Sequence, residues 1–167
     1  MAIGWKFFLA LVMTIQWEVY NKAFLTDGIR FLCGEELGHG VSREVFVYLG
    51  NRDFVVKVEV NTTDMFQNVM EFNFWQSACG CAEILKWIAP CVRISPHGNW
   101  LLQARTMPVS LAELKRRHKR IPIWLSDSKV GNWGKLPNGK IVCHDYGTHL
   151  AVPSMKTAMK KAVWWED

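Results

Sequence analysis

An α+β fold, with a five-stranded antiparallel sheet and one helix packed on it, follows from three observations in this sequence. Five runs rich in apolar and β-branched residues are separated by turn residues. After the third run comes a longer segment whose apolar residues recur at near-helical intervals. Half of the 167 residues are apolar and nine are tryptophan, which is enough for a real core and excludes an intrinsically disordered chain.

The opening, MAIGWKFFLALVMTIQW, places Lys6 before an apolar run. No small-residue cleavage site follows, and the run is too short to span a bilayer. A hydrophobic helix over residues 1–26 is expected, buried on the domain or in a partner's groove; an uncleaved membrane anchor is the less favoured alternative. Asp27-Gly28 breaks it. IRFLCGEELGHG and REVFVYL read as the first two strands, and FVVKVEV as the third, after a turn at Gly50-Asn51-Arg52-Asp53. Alternation in the third strand puts Val56 and Val58 on one face and Val55, Lys57 and Glu59 on the other. Thr62-Thr63-Asp64 suits a helix N-terminus, and Phe66, Val69, Met70, Asn73 and Phe74 mark the expected packing stripe. Strands follow around residues 92–95 and 100–106, joined by a turn at Pro96-His97-Gly98-Asn99. Met107-Pro108 ends that pattern. SLAELKRRHKR reads as a short basic helix with Ser110 as N-cap and Glu113 in the capping-box position. A hairpin turning at Pro137-Asn138-Gly139 and a last helix near residues 154–165 complete the chain.

The net charge of +5, with 21% charged residues, is a mild basic bias that fits an acidic ligand, a phosphate group or an acidic partner. Its densest run spans residues 115–120; as a helix face it reads first as solvated charge and second as a docking site for an acidic partner. No recognition motif accompanies the run, so neither nucleic-acid nor membrane binding is expected. The odd set Cys33, Cys79, Cys81, Cys91 and Cys143 reads as reduced thiols, and a cytoplasmic location is expected. Cys79-Gly80-Cys81 with Cys143-His144 fits no common zinc spacing, so structural thiols are preferred. Trp164-Trp165 reads as packing, and the apolar terminal segments as cover for the domain or as a homodimer contact.

Three constellations carry chemistry. Gly38 and Gly40 in LGHGVSREV let the backbone approach a ligand, and amides in such a turn can face phosphate oxygens, though a lone Gly-x-Gly is most often only a turn. Lys57 is either a lysine on a solvated sheet face or an ammonium directed at phosphates and held by Glu71. In WLSDSKVGNWGKLPNGKIVCHDYG, Asp127, Lys129 and Asn132 lie at intervals of two and three, and Asp145 lies 13 beyond Asn132. A carboxylate that positions a hydroxyl nucleophile, with an amide and a second carboxylate holding magnesium on a nucleotide, needs these residue types. The hairpin between Asn132 and Asp145 would bring those two side by side.

Taken in order, a Gly-rich turn, a strand lysine, a helix glutamate, Asp-x-Lys-x-x-Asn, a hairpin and Asp-Tyr-Gly, the chain resembles the protein-kinase family over roughly residues 30–150. The resemblance implies one minimal domain, with a kinase-like N-lobe over 27–106 and a much reduced C-lobe over 107–167. It implies ATP and magnesium. Gly38, Gly40, Val41 and Val45 would cover ATP, Lys57 would reach its α/β-phosphates, and Glu71 would orient Lys57. Residues 103–107, Gln103 and Arg105 among them, would form the hinge whose backbone meets adenine. Asp127 would be the catalytic base, Lys129 would meet the γ-phosphate, and Asn132 and Asp145 would hold magnesium.

The chain also departs from the family. Arg43 replaces the third glycine of the loop, and Tyr146 stands where phenylalanine is usual. Leu125-Ser126 replace the usual His-Arg, which removes the handle for regulation by a phosphorylated activation loop. The interval from hinge to Asp127 is too short for the family's two helices there, and 20 residues follow Gly147, with no Ala-Pro-Glu. By resemblance, such miniature kinase-like proteins are most familiar from phages and bacterial effectors. The implied activity is phosphoryl transfer to Ser or Thr of a host protein, with Lys129 favouring these over Tyr. The rival is a pseudokinase-type binding protein that inhibits a host enzyme, and transfer of AMP from the same nucleotide is a third reading.

Overall fold

Val55, Val56 and Lys57 are all buried in β3 (Phe54–Glu59), so this strand is covered on both faces rather than one. The computed structural model describes residues 27–60, 67–147 and 158–166. Among them the chain is α+β. A five-stranded antiparallel sheet is formed by β1 (Cys33–His39), β2 (Arg43–Tyr48), β3, β4 (Cys91–Ile94) and β5 (Trp100–Ala104), in the order β1-β2-β3-β5-β4. Register sets Lys57 between Val45 of β2 and Leu101 of β5. The turns expected at 50–53 and 96–99 close as sequence dictates. Asn51 Oδ1 accepts the Asp53 amide at 2.9 Å, and Gly98 takes φ +76°, a conformation that favours glycine.

Helix α1 (Gln67–Ala78) packs across β3, β4 and β5, and the short α2 (Ala82–Leu85) follows it. The buried positions of α1 are Asn68, Glu71, Phe74 and Ala78; Asn73, expected in the stripe, is exposed, and Val69 and Met70 are only partly covered. The stripe is rotated because two of its members are polar and are drawn inward by ionic partners, which hydrophobic spacing does not register. Phe66, the 62–64 helix start and the helix expected at 1–26 lie outside the described residues.

Past β5 the chain builds a second layer. A three-stranded antiparallel sheet has the order β6 (Met107–Pro108), β8 (Trp133–Lys135) and β9 (Ile141–Cys143). Met107-Pro108 thus continues into pairing instead of ending it, with proline tolerated on an edge strand. Ser110 Oγ accepts the Glu113 amide at 3.2 Å and caps α3 (Leu111–Arg117), while the Glu113 carboxylate turns to Lys135 at 3.0 Å. The β8–β9 hairpin turns at 137–139 with Gly139 at φ +81°. The last helix expected near 154–165 is corrected from residue 158 onward, its earlier part lying outside the described residues: β10 (Met159–Lys161) pairs antiparallel with β7 (Arg120–Pro122). Extended chain lets Met159, Ala162 and Trp164 reach one core, and β7 supplies the ladder.

That core runs from Phe74 and Ala78 through Leu101 to Leu114, Ile121, Leu125 and Trp133. Trp133 is fully buried and meets Trp164 edge-on at 5.0 Å. Among the described residues, no helix is long and apolar enough to cross a membrane. Two stability outcomes follow, both read from urea midpoints. Trp133→Ala costs about 3–5 kcal/mol. Ser110→Ala costs about 1 kcal/mol, the loss of one cap.

Candidate functional site

Helical spacing puts Asn68, Glu71 and Phe74 on one face of α1, and that face meets the sheet at β3. Glu71 Oε1 lies 2.6 Å from Lys57 Nζ, with the two side chains 0% and 3% exposed. The solvated-lysine alternative is thereby excluded. Gln103 Nε2 donates to the same oxygen at 2.5 Å, and Arg43 Nη1 donates to Glu71 Oε2 at 2.8 Å. Asn68 fastens the helix beside them: Glu59 Oε1 accepts its amide at 2.6 Å, and its Nδ2 donates to the Lys57 and Asn99 carbonyls at 3.1 Å.

Arg43 carries the network across to the hairpin. Its Nη2 lies 2.5 Å from Asp145 Oδ1, and the Lys57 ammonium also donates to the His144 carbonyl. Burial works against the Arg43 charge, yet the Glu71 and Asp145 carboxylates prevail and hold it protonated. Burial likewise opposes the Asp145 charge, and the Arg43 and Lys57 cations overcome it, keeping the carboxyl below its usual range. At Glu59 burial wins and pushes the carboxyl up.

A second group sits in the loop before β8. Asp127 Oδ1 accepts the Lys129 amide at 2.9 Å, and Oδ2 accepts Asn132 Nδ2 at 2.8 Å. Because the Asn132 amide donates to Asp127, its oxygen is the end left for a cation. The Lys129 ammonium stands 5.4 Å above the Trp165 ring.

His144 joins the two groups. Its amide donates to the Asn132 carbonyl at 2.8 Å, so the hairpin brings the Asn132 and Asp145 segments side by side. The His144 ring spans Thr106 Oγ1, 2.8 Å from Nδ1, and the Gly131 carbonyl, 2.9 Å from Nε2. Burial, then the neighbouring Lys57 charge, push its pKa down to about 4. The ring is therefore neutral at pH 7, with Nε2–H donating to Gly131 and Nδ1 accepting from Thr106. Tyr146 is fully buried, its ring 5.8 Å from that of Phe74, and its hydroxyl donates to the Ala89 carbonyl at 2.8 Å. The hydroxyl also lies 3.0 Å from Cys91, a thiol that burial above all pushes up to about 12.

The remaining expected residues are placed less pointedly. Gly38 pairs with Val45, and a Cβ there would meet nothing within 4 Å, so the protein's own packing does not demand glycine. Val41 is 94% exposed. The Gly40 amide is spent on the Arg43 carbonyl at 2.8 Å, not left facing outward. In the 103–107 segment, Gln103 gives its side chain to Glu71, and the Ala104 and Arg105 amides go to the Pro90 and Asp53 carbonyls at 2.8 Å each. The Arg105 guanidinium reaches the Arg52 carbonyl at 3.5 Å.

Among the described residues, no group of three or more His, Cys, Asp and Glu side chains could hold a metal ion. Asn132 and Asp145 offer two oxygen ligands on adjoining segments, a set that suits magnesium carrying waters and phosphate oxygens better than a bare ion in a protein cage. Sequence reasoning missed four participants: Arg43 as an ionic bridge, Asn68, the Gln103–Glu71 bond and the His144 staple. Only Arg43 left a signal, as a cation opening an apolar strand. No protein-family model matches the sequence, and no curated protein matches it.

His144 supplies a pH outcome. Its folded pKa of about 4 lies below the ordinary 6.5, so between those values the unfolded chain binds more protons and stability falls as pH drops. Urea midpoints measured across that window should decline more steeply for the wild type than for His144→Gln.

Proposed function

We propose that the chain is a minimal ATP- and magnesium-dependent kinase-like phosphotransferase acting on Ser or Thr hydroxyls of a host protein. The observation that carries this reading is the buried Lys57–Glu71 pair at 2.6 Å, joined through Arg43 to Asp145 beside the Asp127–Asn132 loop. Ordinary surface charges do not assemble in this way: a buried lysine and a buried helix glutamate are joined through a buried arginine to a partly exposed hairpin aspartate far away in sequence.

In this reading Lys57, held by Glu71, binds the α/β-phosphates. Asp127 is oriented by the Lys129 amide and by Asn132, and it positions the incoming hydroxyl and receives its proton. The hydroxyl oxygen forms a bond to the γ-phosphorus, the bond from that phosphorus to the β–γ bridging oxygen breaks, and ADP leaves. Magnesium, held by Asn132 and Asp145, would supply neutralisation of phosphate charge. Lys129 meets the γ-phosphate; the Ala104 and Arg105 amides are engaged by the Pro90 and Asp53 carbonyls, so adenine would meet other backbone groups of residues 103–107.

One observation favours a second reading. Asp145 is already paired with Arg43 at 2.5 Å, which opposes metal binding and fits a catalytically weak protein that acts on a host enzyme by direct binding.

Incubation with γ-labelled and α-labelled ATP and a cell lysate separates the readings. The kinase reading expects label in protein from the γ-position alone, lost in Asp145→Asn and reduced about 10²–10⁴-fold in Asp127→Asn. Label from the α-position identifies AMP transfer. No label, with Asp145→Asn still acting on the biological target, overturns the enzyme reading.

A further inference from the structure

We propose that Arg43 is a nucleotide-gated internal cation: its guanidinium neutralises Asp145 in the free protein and transfers that arm to a phosphate when a metal-bound nucleoside triphosphate enters. This deepens the kinase-like reading and rests on it. The two arms of the guanidinium differ. The Nη1 arm holds Glu71, which is 0% exposed and also receives Lys57 and Gln103. The Nη2 arm holds Asp145, whose side chain is 44% exposed. Breaking the inner contact would strip a partner from a buried carboxylate, whereas breaking the outer one leaves a carboxylate that water can reach. The outer contact is the one that moves.

Charge balance says what moves it. Lys57 and Arg43 oppose Glu71 and Asp145, so these four side chains are neutral among themselves, while Glu59, opposite Arg43, gives one oxygen to the Asn68 amide. A bare divalent cation that took Asp145 would leave Arg43, only 8% exposed, with a surplus charge beside a doubly charged ion. A polyphosphate brings anionic oxygens for the freed arm at the same moment, and the planar fork of arginine can hold Glu71 by one nitrogen and phosphate by the other. Arg43 also opens β2 directly after the turn, and its carbonyl accepts the Gly40 amide at 2.8 Å. The glycine turn and the guanidinium are therefore anchored at the same residue.

Metal and nucleotide should consequently bind with strong positive coupling. Mn²⁺ binding is followed by the electron paramagnetic resonance of the free ion, without nucleotide. Arg43→Gln is expected to bind Mn²⁺ at least about tenfold more tightly than wild type, and equal affinities overturn the proposal. Should Arg43→Gln fail to fold, Asp145→Asn tests the same gate from its partly exposed end. With Arg43 released, the non-hydrolysable analogue AMP-PNP in EDTA should bind at least about fivefold more tightly than to wild type, a gain lost when Arg43→Lys is added. Unchanged or weaker binding overturns the gate. Absence of AMP-PNP binding by wild type, with or without Mn²⁺, overturns the kinase-like reading itself; failure of the gate alone leaves that binding intact.

Discussion

The seating of α1 on the five-stranded sheet, and with it the placing of Lys57, Arg43 and Asp145, depends on the Glu71 carboxylate. A fully buried charge is destabilising by several kcal/mol unless its oxygens are matched. Glu71 is matched from three strands at once: Lys57 of β3, Arg43 of β2 and Gln103 of β5. The helix can therefore seat on the sheet in one rotation only, because a turn of α1 by one residue would remove all three contacts together. Asn68, one turn before Glu71, pins the helix to β3 through Glu59 and the Lys57 carbonyl. Phe74, one turn after, meets the ring of Tyr146. A single face of α1 thus carries a fastening, a charge node and an aromatic contact in sequence, and the last two lead to Asp145 and Tyr146 on the hairpin. Position along the helix is translated into position within the site.

The parts of this arrangement that were legible in the sequence are those written in local chemistry. The strands declared themselves by apolar runs bounded by turn residues, and the turns at 50–53, 96–99 and 137–139 formed where Gly, Asn and Asp required them. The cap at Ser110 was legible for the same reason. The pairing of Lys57 with Glu71 was legible only through the order of residue types along the chain, since nothing local links a strand lysine to a helix glutamate. What stayed hidden depended on tertiary partners. Asn68 and Glu71 face inward against the rule of apolar spacing, because their energies are set by residues on other elements. Three-residue β10 has no signal of its own, and it exists because β7 offers an edge. Arg43, read along the chain, is a missing glycine; read across the sheet, it lies opposite Glu59 and points its charge at Glu71 and Asp145.

The loop bearing Asp127 poses the complementary problem, because a carboxylate that holds the Lys129 amide and the Asn132 side chain needs a firm mount, yet residues 125–128 have no regular structure. Rigidity comes from two sides. Leu125 is completely buried and anchors the start of the loop in the core. On the other side the segment after β10 runs alongside: Ser128 donates its hydroxyl to the Val163 carbonyl, the Val130 amide donates to the Trp165 carbonyl at 2.9 Å, and Trp164 wedges edge-on against Trp133. The strap also reaches the candidate site, since the Trp165 ring faces the Lys129 ammonium. Tryptophan suits this duty because a large rigid ring fixes much apolar area with few rotatable bonds, so a short strand and two indoles can immobilise a loop that would otherwise need a larger helical mount. The two halves of the site are therefore held by opposite means. Buried charge sets the geometry around Lys57 and Asp145, buried aromatic surface sets it around Asp127, and the His144 staple ties the one to the other.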